Sequence, residues 1–182
     1  MRIVAGKHRG LVLSTFDVDN IRPTTDRVRE NIFNKIQFDV ADSVVLDLFC
    51  GTGAVSIEFL SRGAKQVISV DNNDNSIKLI KTNFAKAKES PCLKKMDFKQ
   101  AIKLLDGNHQ FHFIYLDPPY NTEFGQESLN AISKTSLLAQ NGLIIYEHLA
   151  DKKFMVPDNF EVIDYKKYGT IAVSFIKEKD NG

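Results

Sequence analysis

The chain has 182 residues, of which 43% are hydrophobic and 26% are charged, a composition that fits one globular domain over residues 1–182 and excludes a disordered chain. No apolar run approaches the ~20 residues that a membrane-spanning helix needs, and the first residues lack the apolar stretch of a secretion signal, so we expect a cytoplasmic protein. Cys50 and Cys92 form no CxxC pair, which argues against a disulfide framework or a structural zinc site. We predict no bound metal.

The net charge of +1 is unevenly distributed along the chain. Residues 1–36 carry seven basic and four acidic side chains, a balance of +3 that leaves −2 for the remainder. A local basic patch can hold phosphates without a high overall pI, although an ordinary solvated surface carries similar charges. The charge pattern alone leaves both interpretations open.

The first forty residues differ in pattern from the rest. Residues 2–13 alternate apolar and basic side chains around Gly6 and Gly10, which predicts a small hairpin. A helix should follow, capped by Thr24 or Thr25. Its predicted apolar stripe consists of Val28, Ile32, Phe33 and Ile36, and its polar face of Arg27, Arg29 and Glu30. We interpret residues 1–40 as an appendage to a core that spans residues 41–182.

From residue 44 onward, short runs rich in Val, Ile and Phe alternate with stretches of helical period, a pattern typical of a parallel sheet with crossover helices. The predicted strands are residues 44–49, 66–70, 93–96, 111–116 and 142–147, and the predicted helices are residues 54–62, 74–88 and 98–105. Residues 161–167 and 170–176 predict a terminal antiparallel pair that turns around Gly169. The chain should therefore have an α/β, Rossmann-like fold with a mostly parallel sheet.

One predicted strand, with Asp47 near its end, runs into a turn that contains Gly51 and Gly53. In an open parallel sheet, ligands bind beyond the carboxyl ends of the strands, near the point where the strand order reverses. A dinucleotide site would have a third glycine where Ser56 stands. A carboxylate before the turn instead suits the cationic sulfonium and amino groups of S-adenosylmethionine. Asp47 therefore favours S-adenosylmethionine as the cofactor.

Further carboxylates end the next two strands. Asp71 can accept hydrogen bonds from both ribose hydroxyls of a bound nucleoside. Asp97 can accept the adenine amino group while Phe98 packs on the ring, but an aspartate before a helix is as often only an N-cap. Phe49 and Asn72 stand beside these residues and complete the predicted cofactor site.

The sequence Asp117-Pro118-Pro119-Tyr120 follows another strand, so it should lie at the same edge of the sheet. An exocyclic amine on a base is a poor nucleophile because its lone pair is delocalised into the ring, and catalysis needs acceptors that polarise its N–H bonds. Asp117 can supply one acceptor and the carbonyl of Pro118 another, because the prolines fix an extended turn. Tyr120 offers a ring for the base to stack on. These four residues are the predicted catalytic residues.

The cofactor turn, Asp71 and residues 117–120 together resemble the amino-methyltransferases with a Rossmann-like fold. Residues 2–10 and 22–34 are similar to the bacterial RsmD-type enzymes, which methylate N2 of a guanine in small-subunit ribosomal RNA. The resemblance implies a seven-stranded sheet, S-adenosylmethionine as donor, and 16S rRNA as substrate. Because so small a chain has limited surface for reading a sequence, we expect it to act on a partly or fully assembled subunit. It also implies RNA contact through the basic N-terminal part, at Arg2, Lys7, Arg9, Arg22 and Arg27. We expect a monomer.

Three alternatives stay open from the residues alone. A DNA adenine-N6 or cytosine-N4 amino-methyltransferase uses the same tetrapeptide. An enzyme that recognises a DNA sequence, however, needs an additional surface that contacts the DNA groove. Protein glutamine-N5 methyltransferases usually resemble Asn-Pro-Pro-Tyr at this point, where the chain has Asp117. The non-enzyme alternative is a module that binds ribosomal RNA without turnover.

Overall fold

The computed structural model describes residues 1–16 and 25–181. The helices within these ranges are α1 (Asp26–Ile36), α2 (Ala54–Ser61), α3 (Asp74–Ala87), α4 (Phe98–Leu105) and α5 (Phe124–Ile132). The strands are β1 (Val44–Asp47), β2 (Gln66–Asp71), β3 (Cys92–Lys95), β4 (Phe111–Leu116), β5 (Leu138–Leu149), β6 (Phe160–Tyr168) and β7 (Ile171–Glu178). No helix in the described part of the chain is long and apolar enough to span a membrane.

The seven strands form one sheet in the order β3-β2-β1-β4-β5-β7-β6. Pairing is parallel from β3 to β5, whereas β7 runs antiparallel to both β5 and β6. This confirms the prediction of a mostly parallel seven-stranded sheet with an antiparallel C-terminal pair. The chain moves outward from β1 to β3 and then returns to place β4 on the other side of β1. The order therefore reverses between β1 and β4, which is where such sheets bind ligands.

Helices cover both faces of the sheet. On one face, Leu46, Ile114 and Ile144 pack with residues of α4 and α5. On the other, Val45 and Phe113 pack with residues of α1 and α2. Side chains alternate between the two faces along each strand, so strands covered on both sides read as continuous apolar runs. This is why the sequence pattern located most of the strands.

The N-terminal segment forms a hairpin-like turn with a single bridge, between Arg2 and Val12, instead of two regular strands. The Ile3 amide donates to the Leu11 carbonyl at 3.0 Å. Ile3 and Leu13 are buried in a small cluster with residues of α2 and α3. The segment is therefore fastened to the core by apolar contacts.

Helix α1 begins after Thr25, whose side chain accepts a hydrogen bond from the Val28 amide. Its predicted apolar stripe is buried, but the prediction that Arg29 lies on the polar face is wrong. Arg29 is 1% exposed, and its Nε lies 3.5 Å from Oε2 of the fully buried Glu58 in α2. Positions 29, 32, 33 and 36 follow the i, i+3, i+4, i+7 spacing of one helix face, so Arg29 shares the buried face.

Gly6 and Gly10 have nearly the same left-handed backbone, with φ values of +82° and +84°, but different surroundings. A Cβ atom on Gly6 would lie 1.9 Å from the Ser61 carbonyl oxygen, whereas one on Gly10 would meet nothing within 4 Å. We expect Gly10→Ala to lower the free energy of unfolding by about 1–3 kcal/mol, through backbone strain alone. Gly6→Ala should lower the free energy of unfolding by clearly more, because the turn must also separate from α2. Urea denaturation of both variants measures the difference, and equal losses would contradict this docking.

Candidate functional site

A cavity of about 790 Å³ opens at the carboxyl edge of the sheet, where β1 and β4 lie side by side. The predicted site residues that line it are Asp47, Phe49, Gly51, Asp71, Asn72, Asp97, Phe98, Asp117, Pro118, Pro119 and Tyr120. The loops after β1, β2, β3 and β4 thus contribute to one space. Its volume falls within the range of about 300–1,000 Å³ typical of small-molecule sites.

The two glycines of the turn after β1 have different roles. Gly51, with φ +51°, lines the cavity, and a Cβ atom there would meet nothing within 4 Å. Gly53, with φ +81°, is buried, and its Cβ atom would lie 2.5 Å from Cγ1 of Ile80 in α3. Gly51 therefore keeps the turn open toward the cavity, whereas Gly53 allows α3 to pack closely behind it.

Asp71 holds the glycine turn in place. Its Oδ2 accepts a hydrogen bond from the Gly51 amide at 2.9 Å, and its Oδ1 accepts one from the Asn73 amide at 2.9 Å. Each carboxylate oxygen has a second lone pair, so the predicted hydrogen bonds to ribose hydroxyls stay compatible with these contacts. Asn72 is exposed at the cavity rim between them.

Asp47 is only 1% exposed, at the bottom of the cavity. Burial raises the pKa of its carboxyl to about 7, and the charges of Asp71 and Glu147 act in the same direction, although the hydrogen bond from Ser56 opposes them. That bond runs from Ser56 Oγ to Asp47 Oδ2 at 2.7 Å, and Ser56 Oγ also lies 2.7 Å from Ser69 Oγ. Sequence reasoning missed both serines, although their polar side chains at buried positions beside the turn were a usable signal.

Asp97 caps α4, because its Oδ1 accepts the Lys99 amide at 2.8 Å. The same residue lines the cavity. Phe98 is almost fully buried, with ring centroids 5.2 Å from Phe49 and 5.1 Å from Phe124. These rings form an apolar wall beside Asp97, and the contribution of Phe124 was not predicted. A cap and a cavity contact therefore coexist at Asp97.

The two roles of Asp97 can be separated by experiment. In Asp97→Asn, the side-chain oxygen can still cap the helix. The NH2 group that takes the place of Oδ2 is a donor, so it cannot accept a hydrogen bond from the adenine amino group. We expect the free energy of unfolding to stay within about 0.5 kcal/mol of the original and the dissociation constant of S-adenosylhomocysteine to rise about tenfold, which is 1.4 kcal/mol. An unchanged dissociation constant in calorimetry would leave Asp97 as a cap alone.

The loop that begins with Asp117 is closed by hydrogen bonds around Pro119. The amide and Oγ1 of Thr122 donate to the Pro119 carbonyl at 3.2 and 2.7 Å. The Pro118 carbonyl is not the acceptor in this turn. Lys152 donates to the carbonyl of Thr122 and lies 3.1 Å from Glu123 Oε1. The segment after β5 therefore holds the loop from behind.

The predicted RNA-binding side chains of the N-terminal part differ in their availability. Arg2, Lys7, Arg9 and Arg27 are exposed, and Lys7 forms an ion pair with Glu89. Arg22 lies outside the described residues. Arg29, which contributes to the basic balance of residues 1–36, is buried beside Glu58 and is not available as surface charge. Among the described residues of this segment, the surface is thus less basic than the sequence indicates.

Comparison with known proteins gives consistent matches over almost the whole chain. A family model described as conserved hypothetical protein 95 matches residues 1–177. The chain is 30% identical to ribosomal RNA small subunit methyltransferase D of Haemophilus influenzae, over 94% of the chain and 91% of that protein. It is 29% identical to the protein of the same name from Escherichia coli K12, over 100% and 92%. The solved structure of Escherichia coli yhhF, described provisionally as a methyltransferase, superposes with a TM-score of 0.87 at 25% identity, covering 98% of both chains.

Proposed function

Because the chain belongs to the RsmD-type family of methyltransferases, we propose that it transfers a methyl group from S-adenosylmethionine to the exocyclic N2 amino group of a guanine in 16S rRNA of the small ribosomal subunit. The observation that carries the proposal is that the glycine turn after β1 and the Asp117–Tyr120 loop after β4 line one cavity. Donor and acceptor can therefore meet in the same space.

The cavity fits the donor. Gly51 leaves open space where a side chain would stand, Asp71 and Asp97 offer carboxylate oxygens for ribose and adenine, and Phe98 and Phe49 supply an apolar wall. When bound, S-adenosylmethionine supplies an electrophilic methyl group on a positively charged sulfur. Asp47 provides a compensating carboxylate at the bottom of the cavity, in surroundings of low dielectric where its charge acts strongly.

The Asp117 loop fits the acceptor. The Asp117 carboxylate and the Pro118 carbonyl accept hydrogen bonds from the two N–H groups of the amine, which increases the electron density on its nitrogen. Tyr120 stacks on the base and fixes its plane. Holding nitrogen and methyl group in line is a proximity effect, and such effects contribute roughly 7–11 kcal/mol in well-oriented reactions.

The choice of substrate rests on the relatives and on the size of the chain. Two relatives that match over nearly their whole length are named for methylation of small-subunit ribosomal RNA. A chain of 182 residues has a limited surface for reading a sequence, so we propose that it recognises RNA held in place by ribosomal proteins in a partly or fully assembled subunit. The protein acts as a monomer in this proposal.

Labelled S-adenosylmethionine tests the proposed substrate class. We expect the protein to transfer label to small ribosomal subunits that lack the modification, and to do so faster than to naked 16S rRNA. The label should separate with the RNA and not with the ribosomal proteins. Transfer to protein would favour a glutamine methyltransferase, transfer to duplex DNA a DNA enzyme, and binding without transfer a non-catalytic module.

The raised pKa of Asp47 predicts that donor binding depends on pH. The folded-state value of about 7 lies above the ordinary value of 3.8, so the carboxyl holds its proton below pH 7, and its contribution to the stability of the empty protein decreases as pH rises from 3.8 to 7. The cationic donor favours the ionised form. We expect its dissociation constant to fall about tenfold between pH 6 and pH 8, and this dependence to disappear in Asp47→Asn. Equal pH dependence in both proteins, measured by calorimetry, would contradict this role.

A further inference from the structure

A second concave surface lies between helix α1 and the edge strand β6. It has a volume of about 440 Å³. We name it the α1–β6 groove, and its lining residues are Asn31, Lys35, Asp164, Lys166, Tyr168 and Phe175. None of these residues belongs to the cavity at the carboxyl ends of β1 and β4.

The topology places one end of the groove at the catalytic edge of the sheet. Strand β7 is antiparallel to both β5 and β6, so β6 runs in the same direction as β5 and β4. The carboxyl end of β6, at Tyr168, therefore lies at the same edge as Asp117, which follows β4. Burial and the charges of Asp164 and Glu147 raise the pKa of Tyr168, and the charge of Arg27 opposes them. The charge of Arg27 therefore acts at the Tyr168 end of the groove, although Arg27 does not line the groove itself.

Helix and strand geometry aim the polar side chains into the groove. Arg27, Asn31 and Lys35 are spaced four residues apart and share one face of α1. On β6, Asp164, Lys166 and Tyr168 alternate with Tyr165 and Lys167, which point to the opposite face of the sheet. The two elements thus present a row of cationic and hydrogen-bonding groups to each other.

The charge of the groove is positive. Lys35 Nζ lies 2.6 Å from Asp164 Oδ2 and 5.1 Å from the centroid of the Phe175 ring, so this pair is held within the groove wall. Arg27 and Lys166 are exposed. Within residues 1–16 and 25–181, neither has a carboxylate partner at ion-pair distance. Lys166 in the groove and Arg27 outside its lining are therefore available to a ligand, together with the amide of Asn31 and the ring of Tyr168.

We infer that the α1–β6 groove binds the phosphodiester backbone of the RNA strand that continues from the target guanine. The inference rests on the proposed function, because a base placed in the cavity requires its strand to leave along the surface. Arg27 and Lys166 neutralise phosphates, and Asn31 and Tyr168 contact a ribose or an unstacked base. Phosphate contacts fix the position of a nucleic acid without reading its sequence, which suits an enzyme with little surface for base recognition.

Adjacent lysines on β6 give a matched test. Lys166→Ala and Lys167→Ala remove the same charge from the same strand but from opposite faces. We expect Lys166→Ala to weaken binding of naked 16S rRNA about fivefold and to reduce the slope of log affinity against log salt by about 1, while Lys167→Ala leaves both values close to the original. Lys166→Arg should bind like the original protein.

A variant that should strengthen RNA binding, instead of weakening it, completes the test. Asp164→Asn releases Lys35 and should tighten RNA binding, a gain that damage to the fold cannot produce. The dissociation constant of S-adenosylhomocysteine should stay the same in all four variants. Equal effects of Lys166→Ala and Lys167→Ala, or no tightening in Asp164→Asn, would overturn the inference. A loss seen with assembled subunits but not with naked RNA would also overturn it, in favour of a protein partner.

The failure of this inference differs from a failure of the proposed function. If the original protein methylates RNA while all four variants bind it alike, the groove is not an RNA site and the proposed function stands. If the original protein transfers no label to any RNA, the proposed function is wrong whatever the binding data show.

Discussion

Asp117→Asn should lower the rate of methyl transfer about 10²–10⁴-fold while changing the dissociation constant of S-adenosylhomocysteine by less than about twofold. The substitution preserves the shape of the side chain but removes its charge and replaces one acceptor oxygen by a donor. The amide oxygen that remains is a weaker acceptor for an N–H bond of the substrate than a carboxylate oxygen. Single-turnover transfer of label to small subunits measures the rate, and calorimetry measures binding.

The control for this prediction is Asp151→Asn, which removes the same charge from an exposed position in the segment after β5. We expect it to keep the original rate. If Asp117→Asn retains most of its activity, the amine is not polarised by this carboxylate. If it instead loses both activity and cofactor affinity, Asp117 belongs to the donor site and not to the acceptor site.

Glu58→Ala should lower the free energy of unfolding by about 3–5 kcal/mol, because it breaks a buried ion pair and leaves the buried Arg29 with the half-exposed Asp26 as its remaining carboxylate partner. Glu58 is fully buried, and its two oxygens accept the amides of Val4 and Ala5 at 2.9 and 3.1 Å and Arg62 Nε at 2.9 Å. Arg29 Nε lies 3.5 Å away. One carboxylate therefore joins α1, α2 and the N-terminal segment.

The control is Glu127→Ala, which breaks a surface ion pair with Lys99 and should cost less than about 1 kcal/mol. Urea unfolding measures both variants. Limited proteolysis of Glu58→Ala should also release the N-terminal segment first, since two of the lost hydrogen bonds come from Val4 and Ala5. A loss below that of the surface control would contradict the role of Glu58 as a connection between these elements.

The order of strands and helices could be predicted because buried parallel strands give short apolar runs and amphipathic helices give a different period. Helix α5 was not predicted. Its buried face includes Gly125 and Ser128, which carry no apolar signal. A Cβ atom on Gly125 would lie 2.1 Å from the Tyr146 hydroxyl, so tertiary packing selects a glycine at a position where helix propensity disfavours one.

The start of β5 was placed too late for a similar reason. The strand begins at Leu138 and passes through Asn141, which has φ +61°, before Gly142. The pairing with β4 shifts register between Phe111 and Phe113. Polar residues at an irregular part of a strand indicate a turn when only the sequence is considered, whereas here they accompany a break in the ladder.

The loops of the candidate site could be predicted because parallel strands bring their carboxyl ends to one edge. The buried charges could not. Charged residues are almost never fully buried unless they are paired. Asp26 stands one turn before Arg29 in the same helix, but the buried partner of Arg29 is Glu58, in another helix. The α1–β6 groove was missed for the same reason, since only the folded chain brings Asn31 beside Lys166.

Mass spectrometry of nucleosides from treated small subunits tests the proposed chemistry most directly. Subunits that lack the modification, incubated with the protein and S-adenosylmethionine and then digested, should yield one equivalent of N2-methylguanosine above the untreated sample. The Asp117→Asn protein should yield none in the same time. A methyl group on adenosine, on cytidine or on ribosomal protein would contradict the proposal that this cavity presents a guanine N2 to the donor.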